Sequence, residues 1–246
     1  MPVGTIQMYS AALERPVTFT ILLPDPLRVG KGPYHALLQL HGKFDDHRAW
    51  LVKSNLAEYV ANLPLIVVLP DGGNFFWADA WPNLRYESFL MRDLLPYVSE
   101  TFPIRRDSRW AIGGLSMGGL GALRLGLKYA DRFCSVYAHS SAILRPDELL
   151  ESGKAADEAA AADMDCFAWA LQADRDRLPR LSFDCGTEDW LIDHNRRFHA
   201  YLEQIGLPHT YVEHPGAHTW DYWDRHVQTA IRQHCEVFGI EPVPQP

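Results

Sequence analysis

A sharp corner between a strand and a helix is the feature that most constrains this chain. The apolar residues before Gly114-Leu115-Ser116-Met117-Gly118 predict a strand, and Leu120 to Lys128 predicts the helix that follows. Glycine on each side of the serine gives the tight backbone room and lets the hydroxyl stand clear of the sheet. The free N–H groups at the start of the helix place the Met117 amide to stabilise an oxyanion. The pattern predicts a nucleophilic Ser116, unless the corner is only a glycine-rich turn with an incidental serine.

Composition limits the class of protein. The chain of 246 residues and 28.0 kDa fits one large α/β domain, residues 1–246, with a sizeable core. The net charge is −8 and no lysine or arginine cluster is long enough to track phosphates, which argues against nucleic-acid and membrane partners. The first ten residues do not resemble a signal peptide, no apolar run is long enough to span a bilayer, and the four cysteines form no Cys-x-x-Cys pair. These features predict a cytoplasmic location with free thiols.

The order of apolar runs and helical patterns predicts a mostly parallel, doubly wound sheet of about eight strands with helices on both faces. The predicted strands are Thr5–Tyr9 and Val17–Leu23 in an antiparallel opening, then Ala36–Leu40, Leu65–Leu69, Ala111–Ile112, Cys134–Ala138, Leu181–Cys185 and Thr210–Glu213. The predicted helices are Arg48–Asn62, Tyr86–Thr101, Met117–Tyr129, His194–Ile205 and Thr219–Phe238. In such sheets the ligand crevice lies beyond the carboxyl ends of the strands, so the loops there should carry the chemistry.

Three of those loops carry candidate partners for Ser116. Lys43 lies in the loop after the strand that ends at Leu40, where its amide could be a second oxyanion donor. Asp189 follows the strand ending at Cys185, and His218 opens the final helix. Taken singly, each has an ordinary alternative. The Lys43 loop could be a plain turn, Asp189 a helix cap and His218 a structural histidine. Together, serine, acid and histidine stand in the chain order of an α/β-hydrolase triad. Glu188 is a rival acid and Asp193 a weaker one.

Aromatic residues and one segment outside the sheet pattern suggest how a substrate is held. Four aromatic residues in the loop after Leu65–Leu69 are candidates for a pocket wall, or else pack under their own loop. They are Phe75, Phe76, Trp77 and Trp81, of which the two tryptophans are the chosen pocket candidates. Residues 143–180 leave the sheet pattern and predict a small cap within the domain, with Met164, Phe167, Ala168 and Leu171 on one helical face. Phe167 is the pocket candidate there. The alternative is a surface helix that buries this stripe on the core.

Motifs along nearly the whole chain carry a family resemblance. They are Leu40-His-Gly, Leu69-Pro-Asp-Gly-Gly-Asn74, Thr101-Phe-Pro, Gly114-Leu-Ser-Met-Gly-Gly119, Gly186-Thr-Glu-Asp189 and Gly216-Ala-His-Thr-Trp220. With these motifs the chain resembles the esterase D family of α/β-hydrolases. That family includes S-formylglutathione hydrolases, tributyrin-type carboxylesterases, feruloyl and acetylxylan esterases and antigen 85 mycolyltransferases. By position, Ser116 matches the nucleophile, Asp189 the acid and His218 the base, while the Met117 and Lys43 amides match the oxyanion hole.

One position departs from the family pattern. The loop after the first parallel strand usually reads His-Gly-x-x-Gly, and here Asp45 stands at the second glycine. Aspartate tolerates a positive φ better than most residues but less freely than glycine. The resemblance therefore leaves the shape of the Lys43 side of the oxyanion hole open.

The resemblance implies a serine carboxylesterase that hydrolyses short-chain acyl esters through an acyl-enzyme on Ser116. The alternatives are an S-formylglutathione hydrolase, a feruloyl or acetylxylan esterase, an acyltransferase, or a fold reused as a non-catalytic binding module. A small-molecule ester is the expected partner, a homo-oligomer is left open, and no cofactor or metal is expected. His209, His214 and His218 lie close in sequence, but Pro215-Gly216 keeps the last two off one helix face, and no His-Glu-x-x-His is present.

Overall fold

In the computed structural model, which describes residues 1–241, eight strands form one sheet. They are β1 (Val3–Ser10), β2 (Arg15–Leu22), β3 (His35–Leu40), β4 (Leu65–Pro70), β5 (Trp110–Leu115), β6 (Phe133–His139), β7 (Arg180–Gly186) and β8 (Thr210–His214). Their order across the sheet is β1-β2-β4-β3-β5-β6-β7-β8. The β1–β2 and β2–β4 pairs are antiparallel and the other five are parallel. The predicted mostly parallel sheet of about eight strands is confirmed.

The middle strands are continuous apolar runs because both faces of the sheet are covered. All six residues of β4 are buried. Neighbouring residues of a strand point to opposite faces, so Val68 joins one buried cluster with Leu38, and Val67 joins a second with Leu37. These clusters are the cores on the two sides of the sheet. At the sheet edge, β1 instead alternates between exposed and half-buried residues.

Helices cover both faces, as predicted. They are α1 (Pro26–Val29), α2 (Ala49–Val52), α3 (Leu56–Val60), α4 (Tyr86–Ser88), α5 (Leu95–Thr101), α6 (Met117–Lys128), α7 (Pro146–Glu151), α8 (Glu158–Asp163), α9 (Cys166–Gln172), α10 (Ile192–Gln204) and α11 (Trp220–Phe238). Helix α6 packs in the first cluster and α11 in the second. Within residues 1–241, no helix is both long and apolar enough to cross a membrane.

Two predicted helices differ from the structure. The single helix expected over Arg48–Asn62 is wrong, because α2 and α3 are separate. Between them, the backbone N–H and side-chain amide of Asn55 donate to the Asp224 carboxylate of α11 at 2.7 and 2.9 Å, which ties the break to a distant helix. The helix expected over Tyr86–Thr101 is helical throughout, but α4 and α5 are joined by a π-helical stretch, Phe89–Leu94. There the Leu95 N–H donates to the carbonyl of Leu90, five residues earlier.

Three short helices, α7 to α9, occupy the segment for which a small cap is predicted. Met164 and Phe167 are buried in the first core cluster, whereas Leu171, expected on the same face, is 62% exposed. Leu144 and Lys154, from the start and middle of the segment, reach the wall of a cavity that holds Ser116. The segment thus packs on the core and also borders the cavity, and its role as a cap stays a prediction.

A buried charge network fastens α6 to its surroundings. The guanidinium of Arg124, fully buried, lies 2.5 Å from Glu87 of α4 and 2.8 Å from Asp163 of α8. Lys128 pairs with the same two carboxylates at 2.7 and 2.5 Å, and the Tyr129 hydroxyl donates to Glu87. Burial acts to raise the pKa of the Glu87 carboxyl, but its two cationic partners outweigh burial and hold that pKa below its ordinary value.

We predict that Glu87→Gln destabilises the protein by roughly 3 to 5 kcal/mol, because it leaves the buried Arg124 charge without its nearest partner. Urea unfolding followed by circular dichroism measures the change. Glu100→Gln is the matched control, since Glu100 pairs with Arg106 at 2.6 Å with both side chains largely exposed, and such pairs contribute little. Equal effects of the two substitutions would contradict a special role for the buried network.

The pH dependence follows from the sign of the Glu87 shift. A carboxyl whose pKa is lower in the folded state stabilises fully above its unfolded pKa, near its ordinary value of 4.5, and loses this contribution as the pH falls further. The native protein should therefore lose unfolding free energy below that pH. The Glu87→Gln variant should lose less of it, and parallel curves for the two proteins would contradict the assignment.

Candidate active site

The backbone at Ser116 is held in an unusual conformation between β5 and α6. Its φ of 54° and ψ of −116° lie where residues with side chains rarely occur. The Ser116 N–H donates to the His139 carbonyl at 2.9 Å, and its own carbonyl accepts from Ala142 at 3.1 Å. A Cβ on Gly118 would lie 2.6 Å from the carbonyl oxygen of His41, so glycine is required for this corner to approach β3. The corner therefore has the geometry that the sequence predicts.

The structure brings the predicted serine, histidine and acid together. The Nε2 of His218 lies 3.0 Å from the Ser116 Oγ, and its Nδ1 lies 2.9 and 3.0 Å from the two carboxylate oxygens of Asp189. Since a carboxylate only accepts, the Nδ1 carries the proton and Nε2 is free to accept from the serine hydroxyl. The arrangement can move a proton from Ser116 to an imidazole whose charge is balanced by a carboxylate.

The environment of Asp189 keeps its carboxylate ionised. Burial acts to raise the pKa of Asp189, but the hydrogen bond from His218 and the one from the Leu191 N–H at 2.8 Å leave that pKa below its ordinary value. The rival acids lie elsewhere. Glu188 is exposed, and the Asp193 side chain is 88% exposed and lies 3.8 Å from Arg196. Asp189 is thus the carboxylate that orients His218.

The loop after β3 brings Lys43, predicted to supply the second oxyanion donor, to the same cavity as the serine. Lys43 and Met117 both line the cavity that holds Ser116, and within residues 1–241 neither backbone N–H donates a hydrogen bond. His41 fixes the loop, since its Nδ1 lies 2.7 Å from the Gly42 carbonyl and its Nε2 accepts from the Gly72 N–H at 2.9 Å. Two unsatisfied amides at this place can receive a developing negative charge.

The residue that departs from the family pattern does not carry the unusual backbone angle. The positive φ of 70° falls on Phe44, whose N–H donates to the Asn74 side chain at 2.7 Å. Asp45, at the position usually held by glycine, instead pairs with Lys53 at 2.5 Å. Aspartate is therefore accommodated there without adopting a left-handed conformation.

The reacting groups open into a cavity of 590 Å³ with a largely apolar wall. The large apolar side chains of this wall include those of Phe44, Phe76, Leu144, Trp190, Trp220 and Trp223. Trp190 and Trp223 also contact the His218 ring, with ring centroids 4.9 and 4.8 Å away. The prediction of pocket residues missed these two tryptophans. The usable signal was their position in the chain. Trp190 directly follows Asp189, and Trp223 lies five positions after His218.

Of the aromatic residues proposed for the pocket wall, Phe76 lines the cavity, but the three chosen candidates lie elsewhere, so that prediction needs correction. Trp77 is fully buried beneath the loops, where its Nε1 donates to the His41 carbonyl at 3.3 Å. Phe167 is buried edge-to-face against Phe198, with ring centroids 5.1 Å apart. Trp81 is 38% exposed and borders a separate polar cavity with Lys128. For Trp77 and Phe167, burying the aromatic ring in the core is more favourable than leaving it on the wall of an open cavity.

A group of three candidate metal ligands lies outside this cavity. The donor atoms of His199, Glu203 and His209 lie within 4.8 Å of one another. The His209 Nε2 lies 2.8 Å from the His199 Nδ1, and its own Nδ1 lies 2.8 Å from a backbone carbonyl, so the two imidazoles already form a hydrogen-bonded pair. Neither His214 nor His218 belongs to the group, although both lie near His209 in sequence.

Comparison with known proteins places this geometry in a family. The sequence model of the esterase family, described as "Putative esterase", matches residues 10–234. The chain is 28% identical to an acetyl esterase of Caldicellulosiruptor saccharolyticus, over 94% of this chain and 97% of that protein. Among solved structures, a ferulic acid esterase superposes with a TM-score of 0.83 at 26% identity, covering 96% of this chain and 99% of that one.

A more distant structure shows the same fold. The S-formylglutathione hydrolase of Agrobacterium tumefaciens superposes with a TM-score of 0.84 at 23% identity, over 95% of this chain and 94% of that one. The sheet order, the corner at Ser116 and these matches agree with one another. The chain therefore belongs to the esterase family, and it is a serine hydrolase of carboxylic esters with the α/β-hydrolase fold.

Proposed function

We propose that this carboxylesterase hydrolyses short-chain acyl esters through an acyl-enzyme on Ser116. One observation carries the proposal, namely the unbroken line of hydrogen bonds from Asp189 through His218 to Ser116 at the floor of the 590 Å³ cavity. A nucleophile, a base within 3.0 Å of it and a carboxylate behind the base are what acyl transfer to a serine requires.

The reaction proceeds in two matched halves. His218 takes the proton of Ser116 as its Oγ attacks the ester carbonyl, and the amides of Lys43 and Met117 receive the resulting oxyanion. When the intermediate collapses, the C–O bond to the alcohol breaks and His218 gives its proton to the departing oxygen. Water then repeats the sequence on the acyl-enzyme, which releases the acid and restores the serine hydroxyl. The ionised Asp189 stabilises the imidazolium in both halves.

We predict that Ser116→Ala and His218→Ala abolish measurable turnover of p-nitrophenyl acetate. Asp189→Asn should lower kcat by about four orders of magnitude, because the amide no longer holds the required tautomer. Glu188→Gln is the matched control, since it removes the neighbouring carboxylate, which is exposed, and should leave activity near that of the native enzyme. Substantial turnover in any of the first three variants would remove that residue from the proposed triad.

The apolar cavity wall and the segment 143–180 support a preference for short acyl groups. Leu144 and Lys154 of that segment border the cavity, which leaves limited room for a long chain. We expect kcat/KM to fall at least about tenfold from p-nitrophenyl butyrate to the palmitate, a loss of about 1.4 kcal/mol of transition-state binding. Initial rates across an acyl-length series measure this, with p-nitrophenyl acetate as the small reference. Equal rates on long-chain triglyceride emulsions would contradict a short-chain preference.

Thioester hydrolysis is the second candidate activity. The chain is 30% identical to an S-formylglutathione hydrolase of Paracoccus denitrificans over 59% of this chain and 58% of that protein. The same triad serves esters, thioesters and acyl transfer to an alcohol. We expect higher kcat/KM on tributyrin than on S-formylglutathione. The reverse order would make the thioesterase the better description, and feruloyl esters run beside them test the remaining esterase alternative.

Composition supports the proposed location and partners. The net charge of −8 supports an enzyme that acts without nucleic-acid or anionic-membrane partners. The four cysteines, all unbridged, support a reducing cytoplasmic location.

A further inference from the structure

Two lysine side chains in the catalytic cavity have no acidic partner. Lys43 and Lys154 both line the cavity, and within residues 1–241 neither ammonium forms an ion pair or a hydrogen bond. The third lysine of the wall, Lys53, is different, because it pairs with Asp45 at 2.5 Å. The Lys43 ammonium instead lies 4.9 Å from the centroid of the Phe44 ring. The cavity therefore has two positive charges without a carboxylate partner beside an apolar surface.

The two lysines reach the same cavity from different elements of the fold. Lys43 comes from the loop after β3, and Lys154 follows α7 in a separate part of the chain. Burial lowers the pKa of Lys154, and the positive charge of Lys43 lowers it further. Lys154 is half-buried and Lys43 is exposed, and a bound anion would balance both positive charges.

The acidic groups near the cavity are already engaged. Asp45 is paired with Lys53, and Asp189 lies behind His218 rather than on the wall. Apart from Ser116 and His218, the other polar side chains of the wall are Thr219 and His194, and the buried Nδ1 of His194 has no hydrogen-bond partner within residues 1–241. A protein with a net charge of −8 thus has a catalytic cavity whose unbalanced charge is positive, and such a cavity concentrates anions.

We propose that this enzyme selects esters that carry a carboxylate, which Lys43 and Lys154 bind while Ser116 attacks the ester carbonyl. The inference rests on the proposed esterase function and adds the substrate class. A carboxylate accepts charge-assisted hydrogen bonds from both ammonium groups, and the apolar wall covers the carbon chain that joins it to the ester. The carboxylate belongs to either the acyl or the alcohol part, and the experiment separates the two.

Two pairs of substrates, matched in length, test the proposal. Monoethyl glutarate is compared with ethyl pentanoate for the acyl side, and 4-acetoxybutanoate with butyl acetate for the alcohol side. Hydrolysis is followed by acid release at neutral pH and low salt. We expect a kcat/KM about tenfold higher for the anionic member of one pair, a factor corresponding to about 1.4 kcal/mol. The preference should shrink as salt is added, because the attraction is screened.

Variants of Lys154 identify the source of the preference. Lys154→Met should remove most of it, and Lys154→Glu should turn it into a preference for the neutral ester. The readout is the ratio of kcat/KM between the anionic and the neutral member of each pair, so a change that affects both members equally does not count as a loss of the preference. Lys31→Met is the matched control, because it removes the same charge from an exposed site outside the cavity and should change nothing.

The outcomes separate the two proposals. Equal rates within both pairs, or a preference that survives Lys154→Glu, would overturn the selection of anionic esters and leave the esterase function intact. Failure of the native enzyme to hydrolyse any of the four esters would instead contradict the proposed function itself. Retained turnover of neutral esters shows that the variants are folded.

Discussion

The backbone of Ser116 is the constraint on which the rest of the site depends. A residue with a side chain at φ 54° is strained by roughly 1 to 3 kcal/mol. Its N–H and carbonyl are both bonded across the fold, to His139 of β6 and to Ala142 beyond it. The strain persists because these contacts and the close approach at Gly118 permit no relaxed alternative. The hydroxyl is therefore aimed before any substrate binds, which removes a cost of reorganisation from the reaction.

The two amides proposed for the oxyanion hole are joined through a residue that does not line the cavity. The indole N–H of Trp77 donates to the His41 carbonyl, and the Trp77 carbonyl accepts from the buried guanidinium of Arg124 at 2.9 Å. Arg124 lies on α6, the helix that begins with Met117, while His41 opens the loop that contains Lys43. Trp77 thus ties the helix to the loop, and the charge network around Arg124 holds the position of both amides.

Local sequence signals were sufficient to predict the sheet and the order of the loops that carry the functional residues. The continuous apolar runs could be assigned to strands because parallel strands are buried on both faces. The glycines around Ser116 could be assigned to a tight corner because such a corner excludes a Cβ. Contacts between residues far apart in the chain could not be predicted in this way. The helix break at Asn55 depends on Asp224, 169 residues away, and the burial of Phe167 depends on Phe198. Neither partner is visible in a local pattern, so the helix over Arg48–Asn62 was predicted as unbroken and Phe167 was assigned to the cavity instead of the core.

The carboxylates nearest to Ser116 each have a partner, and electrostatics gives the reason. An unpaired carboxylate near Ser116 would disfavour the oxyanion that forms during acyl transfer, whereas Asp189 faces the imidazole and Asp45 faces Lys53. With both acids occupied, Lys43 and Lys154 are the charged side chains of the wall that have no carboxylate partner within residues 1–241, and we propose that they make the potential in the cavity positive. A positive potential stabilises negative charge on the reacting oxygen and on a substrate carboxylate alike. The requirement of the chemistry and the selection of an anionic ester therefore point to the same arrangement of charges.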